Sequence, residues 1–179
     1  MTSAKADAGT SAAGSAGRGR VRLGILTISD AGARGERRDA SGDAIAAWAA
    51  ERGYAIAARA LVPDESEAIA AALRRWADDD AADLVLTTGG TGLTARDVTP
   101  EATRGVLDKE APGIAEALRY SVYPRFPRAA LSRGVAGVRG RTLVINLPGS
   151  PGGVRDGLAV LSELVEHAVD LVRGARTDH

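Results

Sequence analysis

The stretch TTGGTGLTARDVTPEAT, from Thr87 to Thr103, places glycines, hydroxyls and one aspartate in a single segment. Successive glycines let backbone N–H groups point into a concavity and let an anion approach the main chain closely. The residue types of Thr99, Pro100 and Glu101 suit an N-cap, N1 and N2, so a helix is expected to begin there. Helix N-termini attract anions. The stretch therefore indicates a phosphate-binding loop, although an ordinary glycine turn has the same composition.

Asp97 lies in this loop, where a carboxylate would repel a phosphate unless a cation lies between them. Mg²⁺ is suited to that position because one or two carboxylates and the substrate phosphates usually hold it. Asp64, in the VPDE segment that ends another apolar run, is a second carboxylate. The structural alternatives are an Asx turn at Asp97 and a helix cap at Asp64. The residues alone predict a phosphorylated ligand held through Mg²⁺ and leave catalysis open.

Two further regions carry groups that can contact such a ligand. NLPGSPGG, from Asn146 to Gly153, is either a wall for a planar ring or a second anion, or a tight connection in which Ser150 caps a helix and Pro151 occupies N1. The second region supplies hydroxyl, carboxylate and guanidinium groups from Thr27, Ser29, Asp30, Asp39, Ser41, Ser132 and Arg133. An arginine can bind phosphate through two hydrogen bonds, although most arginines in so arginine-rich a chain solvate its surface.

Alternating apolar runs and amphipathic segments are expected to position these loops. Strands are predicted at Val21–Ile28, Tyr54–Val62, Asp83–Thr88, Val135–Val138 and Arg141–Leu147, the last two as a hairpin. Helices are predicted at Asp43–Arg52, Ser66–Asp78, Pro100–Glu110, Gly113–Tyr120 and Pro151–Gly174. Ser29–Asp43 is expected to be a loop, and the prolines make Tyr123–Arg128 irregular. This alternation predicts a mostly parallel sheet covered on both faces, which binds ligands beyond the carboxyl ends of its strands.

Length and composition bound the remaining possibilities. The 179 residues suffice for one domain, expected at 21–174, with a disordered Ala/Gly/Ser tail over 1–20 and a short tail over 175–179. A formal net charge of zero argues against nucleic acid as a partner. No apolar run approaches the ~20 residues of a membrane-spanning helix. A start without an apolar signal segment, in a chain without cysteine, predicts a cytoplasmic protein.

The inventory of reactive side chains is short. The chain has no cysteine, which excludes thiolate nucleophiles and cysteine-bound zinc. His167 and His179 are expected to be structural or exposed. The two lysines, Lys5 and Lys109, offer few candidates for Schiff-base chemistry or a P-loop. Carboxylates, hydroxyls, guanidinium groups and backbone N–H groups remain, and that set suits phosphate ligands.

Three strings identify a family resemblance. LTTGGTGLTARDVTPEAT, LSRGVAGVRGRTLVINLPGSPGGV and the earlier GILTISD with DASG resemble the molybdopterin adenylyltransferases, the MogA and gephyrin G-domain family to which the MoaB type is related. The resemblance extends from about Arg22 to Arg173. It implies a role in molybdenum cofactor biosynthesis, a three-layer αβα sandwich, a homotrimer, and a partner protein that inserts molybdenum afterwards.

The resemblance also implies a reaction. The terminal phosphate of molybdopterin attacks the α-phosphate of ATP, giving adenylylated molybdopterin and pyrophosphate. A phosphate monoester is already largely dianionic at neutral pH, because its second pKa is ~6. The reaction therefore requires neither a protein nucleophile nor a strong base, in keeping with a chain that lacks cysteine. Positioning and charge neutralisation would supply the catalysis.

Particular residues match the family's motifs. Asp64 and Asp97 match its catalytic acidic pair, which is tied to Mg²⁺ and the ATP phosphates. The implied nucleotide-binding residues are Gly89, Gly90, Thr91, Gly92, Glu101, Pro148, Gly149, Ser150 and Pro151. The implied molybdopterin-binding residues are Thr27, Ser29, Asp30, Asp39, Ser41, Ser132 and Arg133.

Two other functions are open to this sequence. A non-catalytic molybdopterin carrier or scaffold would have the same fold, but it would not require both Asp64 and Asp97. A nucleotide-processing domain of the competence-damage type would have similar glycine loops, but the SR…NLPGSP combination argues against it. Adenylyl transfer is therefore the function that the sequence favours.

Overall fold

A six-stranded sheet forms the centre of the computed structural model, which describes residues 20–174. The strands are β1 (Arg22–Ile28), β2 (Ala55–Val62), β3 (Leu84–Thr88), β4 (Lys109–Glu110), β5 (Ala136–Arg139) and β6 (Thr142–Leu147). Their order is β2-β1-β3-β6-β5-β4; the first four are parallel, and β5 and β4 continue the sheet antiparallel. The mostly parallel sheet is confirmed. The tail predicted over 1–20, apart from Arg20, and the tail over 175–179 lie outside the described residues.

Helices cover both faces of the sheet. They are α1 (Asp30–Ala33), α2 (Ala40–Glu51), α3 (Ser66–Asp78), α4 (Thr99–Arg104), α5 (Pro112–Val122) and α6 (Pro151–Arg173), with a 3-10 helix at Pro127–Leu131. Side chains of α2, α5 and α6 pack on one face and those of α3 and α4 on the other. The αβα layers are thereby confirmed. Within residues 20–174, no helix is long and apolar enough to cross a membrane.

The interior strands are buried on both faces, as their apolar sequences require. Along β1, Leu23 and Ile25 belong to the core beneath α2 and α6, whereas Leu26 belongs to the core beneath α3. β3 divides its side chains in the same way. Parallel strands covered on both faces are apolar throughout rather than alternating with polar residues. Because β2, β1, β3 and β6 are parallel, their carboxyl ends lie at the same edge of the sheet.

The last helix has the caps that its sequence predicts. Ser150 Oγ accepts a hydrogen bond from the Gly153 N–H at 3.1 Å, and Pro151 follows as the first helical residue. At the other end Gly174 has φ 78°, a left-handed conformation that ends helices and favours glycine. The predicted hairpin is confirmed as β5 and β6, and β6 is an interior strand.

The Ser29–Asp43 segment is not the plain loop that was expected. It contains α1, capped by Ser29, whose Oγ accepts from the Gly32 N–H at 3.1 Å. It also contains the start of α2, because the Asp39 carboxylate accepts from the Gly42 N–H at 2.8 Å. Asp39 is therefore an N-cap, and the helix begins three residues earlier than predicted.

The helix predicted over Pro100–Glu110 is shorter than expected. It ends at Arg104, and β4 then pairs with the hairpin strand β5. The Asp108 N–H donates to Val138 O at 2.8 Å, which begins this pairing. The N-cap of α4 is Val98 rather than Thr99, which is the first helical residue. The segment predicted to be irregular includes the start of the 3-10 helix at Pro127.

Candidate active site

The expected loops meet at the carboxyl edge of the sheet around a cavity of about 360 Å³, here called the first cavity. Ends of parallel strands share one edge, so loops far apart in sequence become neighbours there. Residues lining the cavity include Thr27, Ser29, Asp39, Ser41, Asp64, Gly89, Gly90, Gly149, Ser150 and Pro151. Nine of the sixteen predicted nucleotide-binding and molybdopterin-binding residues therefore line one cavity. The predicted site residues that do not line it are Asp30, Thr91, Gly92, Asp97, Glu101, Ser132, Arg133 and Pro148.

Gly89 and Gly90, here called the glycine corner, follow the end of β3 and line the first cavity. Gly89 has φ 104° and Gly90 has φ 63°, a region that residues with a Cβ rarely adopt. A Cβ on Gly89 would collide with Ile28 O, and one on Gly90 would collide with Thr99 Oγ1. Only glycine fits either position, as expected for a loop whose backbone must approach an anion.

Asp64 lies beside this corner and is held by Asp30. Asp64 Oδ2 accepts from the Asp30 N–H at 2.8 Å, and the Asp64 N–H donates to Asp30 Oδ1 at 3.0 Å. Burial raises the pKa of Asp64, and the negative charge of Asp30 adds to the effect. The N-cap of α3 is Glu65, so Asp64 is not the helix cap of the structural alternative. Its Oδ1 instead faces Gly90, 3.1 Å from where a Cβ would lie.

Asp97 has the structural contacts of the turn alternative. Its Oδ2 accepts from Thr94 N at 2.8 Å and from Thr94 Oγ1 at 2.6 Å. Burial alone would raise the pKa of Asp97, but these bonds and one from the Gly92 N–H outweigh it and hold the pKa below its usual range. Asp97 is therefore a carboxylate at neutral pH. Such a group has about four lone-pair positions, so a turn and a cation can share it.

The donors at this edge fit Mg²⁺ accompanied by phosphates. Within residues 20–174 there is no group of three or more histidine, aspartate or glutamate side chains that could hold a metal ion. Asp64 and Asp97 supply two carboxylates, and the fully buried Thr99 Oγ1 beside Gly90 has no hydrogen-bond partner. Mg²⁺ commonly takes one or two carboxylates and completes its shell with water and substrate phosphate. The arrangement therefore matches a cation that arrives with its ligand.

Arg133 holds the loop between β3 and α4 through hydrogen bonds to two of its carbonyl groups. Its Nε donates to Gly92 O at 2.7 Å, and its other nitrogens bond to Asp97 O and form an ion pair with Glu101. This ion pair lowers the pKa of Glu101. The structure places Arg133 against the Gly92–Asp97 segment rather than with the loop after β1, where the sequence interpretation grouped it.

Thr27 and Asp39 line the first cavity while bonding to the protein. Thr27 Oγ1 donates to the Asp39 carboxylate at 3.0 Å, and Arg59 pairs with the same carboxylate at 2.8 Å. Together with its capping bond, these contacts fix Asp39 at the start of α2. Asp39 therefore positions this wall whether or not it also touches a ligand.

Ser41 connects two walls of the first cavity. Its Oγ donates to Gly149 O at 2.8 Å, which ties the start of α2 to the loop before α6. Thr88 Oγ1 donates to Pro148 O at 2.6 Å in the same loop. The Pro148–Pro151 segment is thus hydrogen-bonded both to the start of α2 and to the end of β3.

A second cavity of about 360 Å³ lies on the other side of this segment. Leu118, Val122 and Phe126 give it an apolar wall, and its polar lining residues include Ser132, Asn146 and Asp156. Ser150 lines both cavities. The predicted molybdopterin-binding residues are therefore divided, because Ser132 borders the second cavity while Thr27, Ser29, Asp39 and Ser41 border the first.

Sequence reasoning missed two residues that organise the site. Arg96 pairs with Asp30 through two hydrogen bonds of 3.0 and 2.8 Å and lowers the pKa of Asp30. Asn146, buried in β6, donates to Thr87 Oγ1 at 2.9 Å and to Thr103 Oγ1 at 3.0 Å. A polar residue within the apolar run TLVINL was a signal for Asn146. Arg96 lies in the glycine-rich stretch beside Asp97, but nothing in that stretch indicated that Asp30 would be its partner.

Comparison with known proteins identifies relatives over most of the chain. Residues 24–167 match the family described as "Probable molybdopterin binding domain". A molybdopterin adenylyltransferase of Helicobacter pylori is 39% identical over 158 residues, 86% of this chain and 89% of the relative. The Drosophila melanogaster molybdenum cofactor synthesis protein cinnamon is 40% identical over 153 residues, but the match spans only 26% of that longer protein. The crystal structure of the molybdopterin biosynthesis enzyme MoaB from Thermus thermophilus is 55% identical with a TM-score of 0.82, covering 86% of this chain and 97% of that chain.

Proposed function

This chain belongs to the "Probable molybdopterin binding domain" family, and we propose that it acts as a molybdopterin adenylyltransferase. An oxygen of the terminal phosphate of molybdopterin attacks the α-phosphorus of ATP. The new P–O bond forms as the bond from that phosphorus to the β-phosphate breaks, and pyrophosphate leaves. The observation that carries the proposal is the placement of Asp64 and the Asp97 loop around a corner that only glycine can form.

The residues of the corner have distinct tasks in this proposal. Backbone N–H groups of Gly89–Gly92 bind phosphate oxygens, and Asp64 and Asp97 hold Mg²⁺. The metal, when bound, neutralises phosphate charge, which is the main requirement in phosphoryl and nucleotidyl transfer. Arg133 and Glu101 keep the loop in place. No protein side chain has to act as nucleophile, since the attacking phosphate is already an anion.

The two cavities suit two substrates that meet at the Pro148–Pro151 segment. We assign ATP to the first cavity, where Asp64, the glycine corner and polar side chains suit a charged nucleotide. We assign the pterin to the second cavity, whose apolar wall suits a planar ring and whose Asp156 can accept from an aminopyrimidinone edge. In this assignment Ser132 faces molybdopterin, and we propose that Thr27, Ser29, Asp39 and Ser41, which the family resemblance implies for the pterin, contact the nucleotide instead.

The test is a direct assay of the purified protein with ATP, Mg²⁺ and molybdopterin. Adenylylated molybdopterin and pyrophosphate are expected in equal amounts, and chelation of the metal should stop their formation. Folded protein that forms no product under these conditions would refute the proposal. Phe126→Ala is expected to raise the KM for molybdopterin and leave the KM for ATP unchanged, which tests the assignment of the second cavity.

A non-catalytic molybdopterin carrier is the second candidate. The observation that favours it is the hydrogen bonding of Asp97 to Thr94, because this turn accounts for Asp97 without any metal. Calorimetric titration separates the two functions. Affinity for molybdopterin without affinity for ATP and Mg²⁺ would support the carrier.

The proposal extends to assembly and location. We propose a homotrimer, supported by three large apolar residues that line neither cavity, Tyr120, Tyr123 and Leu131, with 72%, 49% and 53% of these residues exposed. Monomers rarely expose large contiguous apolar patches, so these side chains are candidates for the contact between subunits. Sedimentation equilibrium tests it. We also place the reaction in the cytoplasm, where ATP is available, before a partner protein inserts molybdenum.

A further inference from the structure

One arginine joins the loop that contains Asp97 to the start of α1, next to Ser29, which lines the first cavity. Arg96 Nε donates to Asp30 Oδ2 at 3.0 Å, and a terminal nitrogen of Arg96 donates to Asp30 Oδ1 at 2.8 Å. A planar two-point contact of this kind fixes direction as well as distance. Asp30 begins α1, so the contact connects the β3–α4 loop with the segment after β1.

Asp30 in turn holds Asp64. The Asp30 N–H donates to Asp64 Oδ2 at 2.8 Å, and Asp30 Oδ1 accepts from the Asp64 N–H at 3.0 Å. Hydrogen bonds therefore run from Arg96 through Asp30 to Asp64, while Arg96 immediately precedes Asp97 in the chain. The two carboxylates lie on different loops, and this path connects them.

The other side of the Asp97 loop is braced separately. Arg133 Nε donates to Gly92 O at 2.7 Å, and the Arg133 guanidinium also bonds to Asp97 O. These bonds attach Asp97 to the segment that leads into β5, not to the loop that holds Asp64. Loss of Arg96 would remove the contact between the Asp97 loop and Asp30, while Arg133 would still hold the Asp97 loop and Asp30 would still hold Asp64.

We propose that Arg96 is a positioning residue which, acting through Asp30, sets the separation between Asp64 and Asp97 to one that a divalent cation spans. The inference rests on the proposed function, because it takes these two aspartates as the metal ligands. The side chains of Arg96 and Asp30 are 60% and 30% exposed. Solvent-exposed ion pairs add little to stability, so the contribution of Arg96 is expected in metal binding rather than in folding.

The experiment measures metal binding without turnover. Mn²⁺ replaces Mg²⁺ and is followed by electron paramagnetic resonance, with a non-hydrolysable α,β-methylene ATP analogue present and molybdopterin absent. Arg96→Gln is expected to weaken Mn²⁺ binding about tenfold, as loss of groups that orient metal ligands does. Its thermal unfolding should match the wild type. Arg74→Gln is the matched control, because Arg74 is also exposed, pairs with Glu67 at 3.3 Å and carries the same charge.

A double-mutant cycle tests the route through Asp30. In an Asp30→Asn background, Arg96→Gln should weaken Mn²⁺ binding little further, since the partner through which it acts has already changed. An undiminished effect there would mean that Arg96 acts directly on the nucleotide, and wild-type affinity in the Arg96→Gln single variant would also overturn the inference. If the cycle behaves as expected but the wild type forms no adenylylated product, the proposed function fails and the positioning role stands.

Discussion

Asp64 and Asp97 are candidates for the same cation, yet their surroundings differ. Burial raises the pKa of Asp64, whereas hydrogen bonds hold the pKa of Asp97 low despite its burial. Asp97 also stabilises its own turn through Thr94. Substitution of Asp97 therefore perturbs the loop as well as the proposed metal site. Asp64, whose Oδ1 faces Gly90, is the more specific probe of metal binding.

Asp64→Asn is expected to lower kcat about 100-fold or more, because a neutral amide replaces a charged metal ligand. The measurement is pyrophosphate release at saturating ATP and molybdopterin. Asn keeps the shape of the side chain, so thermal unfolding should change little. Glu67→Gln, at a side chain that is 84% exposed, removes the same charge nearby and should keep the wild-type rate. A near-wild-type rate for Asp64→Asn would remove Asp64 from the metal site.

Gly90→Ala is expected to weaken binding of the ATP analogue and to lower the free energy of unfolding by about 1–3 kcal/mol. The reason is that Gly90 has φ 63° and that the new Cβ would collide with Thr99 Oγ1 and lie 3.1 Å from Asp64 Oδ1. Urea denaturation and calorimetric titration measure the two effects. Gly113→Ala, in the first turn of α5 with open space around its Cβ, should leave binding intact. Equal behaviour of the two variants would contradict the role of the corner.

At the scale of elements, the sequence predicted the helices and strands whose boundaries are set by nearby residues. The bounds of α3 were predicted as Ser66–Asp78 because its apolar face repeats at helical spacing and strand-ending residues precede it. β4 was missed because Lys109–Glu110 is short and polar, and its partner β5 lies almost 30 residues further along the chain. Such a strand exists through tertiary pairing, which overrides local propensity.

The sequence predicted only part of the candidate site. The glycine corner and Asp64 meet where expected because parallel strands end at one edge of the sheet. The division into two cavities was not predictable, because it depends on how α5 and the 3-10 helix fold over Pro148–Gly153. The contact between Arg96 and Asp30 joins residues 66 positions apart, which no local pattern marks.

Because Asp39 is the N-cap of α2, its substitution is expected to change the stability of the protein. Asp39→Ala should lower the free energy of unfolding by about 1–2 kcal/mol, because the Gly42 N–H loses its acceptor and Thr27 loses its partner. Asp39→Asn should cost less, since asparagine caps helices about as well as aspartate. Urea denaturation measures both. Unchanged stability in Asp39→Ala would show that this carboxylate serves the ligand alone.

At the scale of the whole molecule, the two ends of the sheet have separate tasks. The carboxyl ends of the strands carry the candidate site, while an ion-pair cluster at the other end joins β1, the start of β3 and the end of α6. There Asp83, with a side chain only 5% exposed, accepts from Arg22 N at 2.7 Å and Arg22 Nε at 3.1 Å, and also pairs with Arg173. Groups distant from the substrates thus hold together the layers that position the site.

The Asp83 cluster predicts how stability depends on pH. Burial alone would raise the pKa of Asp83, but the arginines outweigh it and hold the pKa far below the unfolded value of about 3.9. A carboxyl group whose pKa is lower in the folded state stabilises the protein in full above about pH 5, and this stabilisation is lost as the pH falls towards the folded pKa.

Asp83→Asn should therefore lower the free energy of unfolding at pH 7 by about 2–3 kcal/mol, somewhat less than the ~3–5 kcal/mol of a fully buried pair because Arg22 and Arg173 keep some contact with water. The difference from wild type should narrow as the pH falls below about 4, because the Asp83 carboxyl group of the unfolded wild-type chain then takes up a proton, which favours unfolding. Urea unfolding at pH 7 and pH 3 measures it, with the exposed Asp79→Asn as control. A difference that stays the same at both pH values would mean that Asp83 contributes through packing and neutral hydrogen bonds instead of charge.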